Sequence, residues 1–598
     1  MRIEYVELCK TIRKKVKEDC RKHHIRIIEQ AVQDGRLRRT RSELADGRRQ
    51  IAALKQADGN VAGTTPDILH VVKQFYEDLY RKVTSSTDAS ASHPENDEEE
   101  DSVPPILPAE VRHALHASKT GTAPGADGVT VDALRTGADS LAAILVRLFN
   151  LCLHQRTIPA GFADARTILL YKKGDAEDIK NYRPISLLST IYKTFTRILT
   201  ERIRATLDAA ETDEQAGFRR TFSTIDHIHV VNELVQKVTE YRLPLYMAFV
   251  DYEKAFDSVE NCYVWRALKR QQVPVPIISV LKKIYDEAKS TFCVCDTSVE
   301  VDIQRGVRQG DAISPRLFNA CLRDVIRSLN WDSKGINVNG RFLSHLIFAD
   351  DIVIFSHSPK QLQRRIDELV AASSTVGLKV NVKKTKTMTN FPGTASLSIS
   401  GEPIEEVNEF VYLGQLVSFP RDHYTEIKRR VQAGWNAYRK YKHFLTAPTI
   451  AMKLKRRLYN MVIVPTMLYG AETWALTKQA ETRLATTQRR MERRMIGVRL
   501  LDHRSNEWLR GVTKVVDIVK AARRRKWQWA RKVATMSGDR WAKRITEWRP
   551  PSARGRGRPR RRWRDIICKI AGVNWMLMAH DVSSWNTLGE AYLRNDCD

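Results

Sequence analysis

The chain has 598 residues, 42% hydrophobic and 28% charged, so it can bury a large core and should divide into several domains. Lysine and arginine total 99 against 70 aspartates and glutamates, a formal charge of +29 that favours a polyanionic partner, with nucleic acid ahead of an anionic membrane surface. The most hydrophobic run, 461–476, is broken by Pro465 and Gly470 and carries Glu472, and the amino terminus is charged; a membrane span and a secretory signal are therefore not expected, and a soluble intracellular protein is.

In chain order, residues 1–83 read as a basic helical extension that ends in an amphipathic docking stripe of Ile68, Val71, Val72, Phe75 and Leu79. Residues 84–105 run through Ser, Thr, Asp and Glu with almost no apolar side chains. Such a segment cannot offset the entropy of ordering and is expected to be a flexible acidic linker. From 106 to 421, short strand-like runs alternate with amphipathic helices, which predicts a mixed α/β (α+β) body. Residues 422–502 turn helical and basic, with Ile427, Val431, Trp435 and Tyr438 on one face and Lys428, Arg429, Arg430 and Arg439 off it. Residues 503–598 form an Arg/Trp-rich segment. The nine scattered cysteines fit neither a disulfide framework nor a zinc finger and read as reduced thiols, and His23-His24 reads as polar helix surface.

Two stretches carry the chemistry. The apolar run 245–250 delivers Asp251 at its end, and Phe348-Ala349-Asp350-Asp351 interrupts two apolar runs, 343–347 and 352–355, that otherwise read as a buried hairpin. Burying unpaired carboxylates is expensive, so these side chains must meet solvent, a cation or a metal. A solvated hairpin turn explains either stretch alone. Together they make a set of hard oxygen ligands suited to Mg²⁺, with Mn²⁺ as a substitute, shared with substrate phosphates. Two such ions would serve phosphoryl transfer. Ser314 before Pro315 predicts an N-cap and first helical position, with Phe318, Leu322, Val325 and Leu329 on one helix face; Gly310 allows close backbone approach and Gln309 offers an amide. Arg183, before Pro184, can present a guanidinium to a phosphate or stack on a base. Lys172 could grip phosphates, with Lys173 an equal candidate and a solvated strand end the alternative for either. Near the carboxy terminus, Arg525 and Trp527 lie in a run that suits phosphate contact plus base stacking. Arg556, Arg558 and Arg562 lie in an Arg-Gly-Arg-Pro stretch that resembles an AT-hook core, and that reads equally as a nuclear import signal or a backbone clamp.

The chain resembles the reverse transcriptases of non-LTR (LINE-type) retrotransposons, most of all the RTE group. The resemblance rests on Phe249-Val250-Asp251 through Ala255-Phe256, Arg308-Gln309-Gly310-Asp311 with Ser314-Pro315, Phe348-Ala349-Asp350-Asp351, Gly377 to Asn381 with Lys384-Thr385-Lys386, and Tyr412-Leu413-Gly414. Upstream, Lys119, Pro124 to Gly128, Asn181 to Ser186 and Gln215 to Arg219 match that family's blocks in order. The resemblance implies a right-hand polymerase with fingers, palm and thumb, acting on an RNA template, a DNA primer or target DNA, and dNTPs. It implies that Asp251, Asp350 and Asp351 are catalytic and hold two Mg²⁺ ions, and that Lys172, Arg183, Tyr252, Phe256, Gln309, Gly310 and Lys384 contact the nucleotide. Within that family Phe256 would sit beneath the sugar and exclude a 2′-hydroxyl, and Lys384 could protonate the leaving pyrophosphate, with Lys383 and Lys386 close enough to compete. An amino-terminal endonuclease and a carboxy-terminal nuclease beside a zinc knuckle are both missing from the pattern, so the chain reads as the polymerase portion of an element. A silent nucleic-acid-binding relic and a maturase-like or telomerase-like polymerase are the alternatives. Nuclear localisation, cytoplasmic localisation or both are expected, and the oligomeric state is open.

Overall fold

The computed structural model describes residues 2–35, 51–56, 58–82, 103–294, 297–391, 393, 396–555, 557 and 561–594. The acidic stretch up to residue 102, Arg556 and Arg558 lie outside the described residues. The chain forms two compact units, one from 49–223 and 245–407, the other from 1–48, 224–244 and 408–598.

The first unit is a mixed α/β body built on two sheets. One contains β1 (Asp164–Tyr171), β2 (Tyr182–Leu187), β4 (Lys289–Val294) and β5 (Thr297–Asp302) in the order β2-β1-β4-β5. The other contains β3 (Tyr246–Val250), β6 (His345–Phe348), β7 (Asp351–Ser356), β8 (Lys386–Thr389) and β9 (Glu405–Glu406) in the order β6-β7-β3-β8-β9. β3 is the central strand and is buried along its whole length, which explains why its sequence is an unbroken apolar run rather than an alternating one. It pairs antiparallel with both β7 and β8.

Helices cover these sheets. Thr65–Tyr80 is capped by Thr64, whose hydroxyl accepts from the Asp67 amide, and has proline in its first turn. It buries Ile68, Val71, Val72, Tyr76 and Tyr80, and Tyr76 stacks on Phe292 of β4 with ring centroids 4.3 Å apart. The predicted docking stripe is thus rotated toward two tyrosines, with Phe75 and Leu79 only partly buried. Helix Ser314–Ser328 buries Phe318, Leu322 and Val325 as expected. Its cap differs from expectation: Ile313 occupies the N-cap and Ser314 is already helical, its hydroxyl 3.3 Å from the Tyr285 hydroxyl. The serine serves the core instead of the helix end.

The second unit is mainly helical. Thr224–Glu240 is buried on almost every side, with Lys237 donating to the carbonyls of Ile545, Thr546 and Trp548, and Asp226 paired with Arg540 at 2.8 Å. Around a core that includes Ile427, Leu458, Trp474, Leu484, Met491 and Ile518 lie His423–Lys440, Lys478–Ile496 and Ile518–Thr535. No helix among the described residues is long and apolar enough to cross a membrane.

Candidate active site

In the first unit, the antiparallel register of β7 on β3 pairs Ile352 with Val250, so one residue further along, Asp351 stands opposite Asp251. Phe348 pairs with Asp351, and Ala349-Asp350 form the intervening tight turn. The three carboxylates therefore converge at one end of the central strand pair. Burial raises the Asp350 carboxyl above its ordinary range, the Asp350 backbone opposes that, and the Asp251 charge adds to it. Burial and then the charges of Asp350 and Asp251 push Asp351 up to about 6. Mutual repulsion in a half-dry site is what a cation would relieve.

Cations of the chain already approach this cluster. Lys384 Nζ donates to Asp251 Oδ2 at 2.9 Å, and the backbone around it is set by Asn381, whose amide donates to the Asp251 carbonyl at 2.8 Å. Lys172 follows the end of β1, with its amide donating to the Asn181 carbonyl at 2.9 Å, and Arg183 lies on β2 opposite Leu170. Burial, then Arg183 and Lys384, pull the Lys172 amine down, and Asp251 opposes them. Lys172, Arg183 and Lys384 thus form a positive rim that shares one electrostatic field with the aspartates.

The donor chemistry fits a hard divalent cation: three carboxylates in one place, Asp350 with its proton affinity raised by burial and by Asp251, and Asp351 by burial, Asp350 and Asp251. Among the described residues, however, no three His, Cys, Asp or Glu side chains are grouped so as to hold a metal ion. A Mg²⁺ ion held here would need substrate phosphates and water to complete its shell.

The turn has a support that the sequence did not reveal. Ala349 has a φ of +59°, in the left-handed region that alanine seldom occupies. The Gln215 side-chain carbonyl accepts from the Ala349 amide at 3.3 Å and the Gly217 amide at 2.7 Å, and Gln215 itself bridges to Ile347 of β6. A Cβ on Gly217 would lie 2.4 Å from the Ala349 nitrogen, so only glycine fits there.

A second support holds the Gln309 loop. Gln309 Nε2 donates to Asp257 Oδ2 at 2.8 Å, and the Tyr80 hydroxyl lies 3.4 Å from Asp257 Oδ1. Asp257 is buried and its carboxyl is pushed up to about 7, with burial outweighing the opposing effects of Lys254, Gln309 and Tyr80. The Gln309 carbonyl accepts from Ser186 of β2 at 2.9 Å, and Gly310, at φ +122°, would place a Cβ 2.7 Å from the Ser186 carbonyl. The flanking Arg308 and Asp311 are internal: Arg308 donates to the Phe162 and Ala163 carbonyls, and Asp311 accepts from Tyr192 at 2.5 Å and Thr196 at 2.8 Å. Phe256 stacks on Phe318 at 4.6 Å and meets Phe218 edge-on at 6.2 Å.

Several of the expected contact residues make internal contacts. The Tyr252 side chain is buried with its hydroxyl 2.7 Å from the Ser373 hydroxyl, so only its backbone is left to face a nucleotide. Trp527 is buried, stacked on Trp585 at 4.1 Å with Nε1 donating to the Trp585 carbonyl at 3.0 Å, so its ring is closed to bases. Arg525 spends Nη1 on the Leu468 carbonyl at 2.7 Å. Arg562 is held by Glu240, which also binds Arg554 Nε at 2.7 Å.

Comparison with known proteins gives a matching frame. Residues 171–417 match the family model described as reverse transcriptase (RNA-dependent DNA polymerase). A transposon-derived protein of Caenorhabditis elegans is 32% identical over 269 residues, covering 42% of this chain and 96% of that protein. The Pol polyprotein of the type-1 retrotransposable element R2 of Nasonia vitripennis is 29% identical over 284 residues, 47% of this chain and 27% of its own length. An RNA-directed DNA polymerase from the mobile element jockey of Drosophila funebris is 24% identical over 416 residues, 66% of this chain and 44% of its own. The chain thus spans less than half of the last two relatives.

Proposed function

The chain belongs to the reverse transcriptase family, in its non-LTR retrotransposon branch, and from that premise we propose that it is an RNA-directed DNA polymerase extending a primer 3′-hydroxyl with dNTPs on an RNA template. The observation that carries the reading is the convergence of Asp251, Asp350 and Asp351 under a rim of Lys172, Arg183 and Lys384. In this reading the five-stranded sheet is the palm, the four-stranded sheet belongs to the fingers, and the helices after residue 422 form the thumb. The order of motifs favours the RTE group.

Asp251 and Asp350, with Asp351 beside them, would hold two Mg²⁺ ions, which when bound would acidify the attacking hydroxyl and neutralise the leaving pyrophosphate. The chain's own residues do the rest. Lys172 and Arg183 orient the triphosphate and spread its charge. Phe256, held face to face by Phe318, sets the floor beneath the sugar and selects against a 2′-hydroxyl. Gln309, steered by Asp257, aligns the templating pair. Lys384 neutralises Asp251 until substrate arrives and is then placed to give a proton to the departing pyrophosphate. A nuclear site of action follows from a genomic DNA primer.

The test is incorporation of labelled dNTPs by the purified chain on a primed RNA template with Mg²⁺, beside Asp350→Ala/Asp351→Ala and a parallel NTP reaction. Synthesis from dNTPs, lost in the double variant by at least about 10³-fold and absent with NTPs, is expected. Salt-sensitive RNA binding in both proteins with synthesis in neither would replace this reading with that of a binding relic.

A further inference from the structure

A cavity of about 530 Å³ opens within the second unit, and four arginines stand in its wall. Arg242, Arg421, Arg554 and Arg561 line it, against two carboxylates, Glu240 and Asp422. Neither carboxylate is available to neutralise the rest. Glu240 is taken by Arg554 and by Arg562, and Asp422 caps a helix, accepting from the Tyr424 amide at 2.8 Å and the Thr425 hydroxyl at 2.5 Å. Arg242 and Arg561 have no ion-pair partner among the described residues, and both are exposed. Burial works against the charge of Arg421, and the Glu233 and Glu426 carboxylates offset part of that cost.

Two long helices also begin at this wall. His423–Lys440 starts with His423 and Tyr424 in the lining, and Lys478–Ile496 contributes Gln479 and Ala480, so the positive ends of both helix dipoles add to the arginines. The described residues of the Arg-Gly stretch, Arg554, Gly555, Gly557 and Arg561, line one side. Its Gly555 amide donates to the Glu240 carbonyl at 3.2 Å, and Trp563, at its far end, is buried with Nε1 donating to the Glu472 carbonyl at 2.8 Å. Those residues are therefore tied to the unit at Gly555 and beside Trp563, with Arg554 and Arg561 in the cavity lining.

We propose that this cavity is a phosphate-binding subsite for a single-stranded nucleic acid, taking one or two backbone phosphodiesters between Arg242, Arg421 and Arg561. The inference rests on the polymerase reading above for its choice of nucleic acid. A concave site of this size admits a phosphodiester from a pliable strand, whereas the rigid duplex backbone cannot bend into it. Inorganic phosphate and pyrophosphate share the chemistry, and the test separates them.

The measurement is fluorescence anisotropy of a labelled single strand of ~20 nucleotides, titrated with the full chain over a range of salt. The wild type is compared with Arg242→Ala/Arg561→Ala and with Arg242→Lys/Arg561→Lys. Both positions are exposed, and melting curves of all three proteins establish that the fold persists. The alanine pair is expected to lower the slope of log K against log salt by about 0.7 for one phosphate no longer held or about 1.4 for two, and the lysine pair to restore most of it. An unchanged slope in the alanine pair overturns the proposal. So does calorimetric binding of pyrophosphate that the alanine pair abolishes while strand binding stays intact, which would make the cavity a small-anion site. The polymerase reading fails separately: it falls if the wild type synthesises no DNA, whatever the slopes.

Discussion

At the scale of single residues, the site depends on side chains that never meet the substrate. Gly217 is one: a methyl group there would collide with the Ala349 amide, so Gly217→Ala is expected to shift the Ala349-Asp350 turn. A loss of dNTP incorporation of about 10²-fold should follow, with a stability cost of about 1–3 kcal/mol read from denaturant melts. Asp257 is another, and its pH dependence has an unusual sign. Its carboxyl is pushed up to about 7 in the fold from an ordinary 3.8, so its contribution to stability is full below about pH 4 and is lost as the pH rises through 7. Wild type should therefore lose several degrees of melting temperature relative to Asp257→Asn between about pH 5 and about pH 8. A constant difference across that range would refute the assignment. The carboxylates themselves were legible only in combination, because a solvated turn explains either stretch alone but an acid ending one apolar run and two acids inside another together suit a cation. Their supports were not: the hydrogen bond of Gln215 with Ala349 spans 134 residues, and that of Tyr80 with Asp257 spans 177. No local pattern encodes such pairs.

At the scale of elements, periodicity located helices well and misread what their aromatic faces do. Ile518–Thr535 interleaves cations with tryptophans, and the same 3.6-residue spacing that sets Arg524 outside turns Trp527 and Trp529 inward. Composition alone could not separate stacking on bases from stacking on Trp585. The basic helix His423–Lys440 shows the converse. Its Glu426 is buried, and it binds Arg429 Nε at 2.7 Å, Arg430 Nε at 2.7 Å and the Leu416 amide at 3.0 Å, tying the helix to the hairpin before it. Glu426→Ala leaves the Leu416 amide without its acceptor and two guanidiniums with only the Gly414 carbonyl, and should cost about 3 kcal/mol in urea unfolding, more than removing either arginine alone. An equal or smaller cost would show the arginines to be solvent-compensated.

At the scale of the whole molecule, the net charge of +29 favours a polyanionic partner but cannot say where one would bind, since charge sums carry no address. The structure distributes that charge unevenly: some arginines are locked onto carboxylates or carbonyls, and others, such as Arg242 and Arg561, remain open to a ligand. The chain of Tyr80, Asp257 and Gln309 bears on the boundaries of the protein. The region recognisable as a reverse transcriptase begins at residue 171, yet a tyrosine ninety-one positions earlier stands beside the carboxylate that steers the Gln309 loop. A protein trimmed to its recognisable domain would keep all three aspartates and lose one of the two donors that restrain Asp257. Comparisons of activity between relatives cut at the profile edge would then measure the cut as much as the chemistry, and the smallest faithful unit for engineering or inhibition studies starts no later than Thr64.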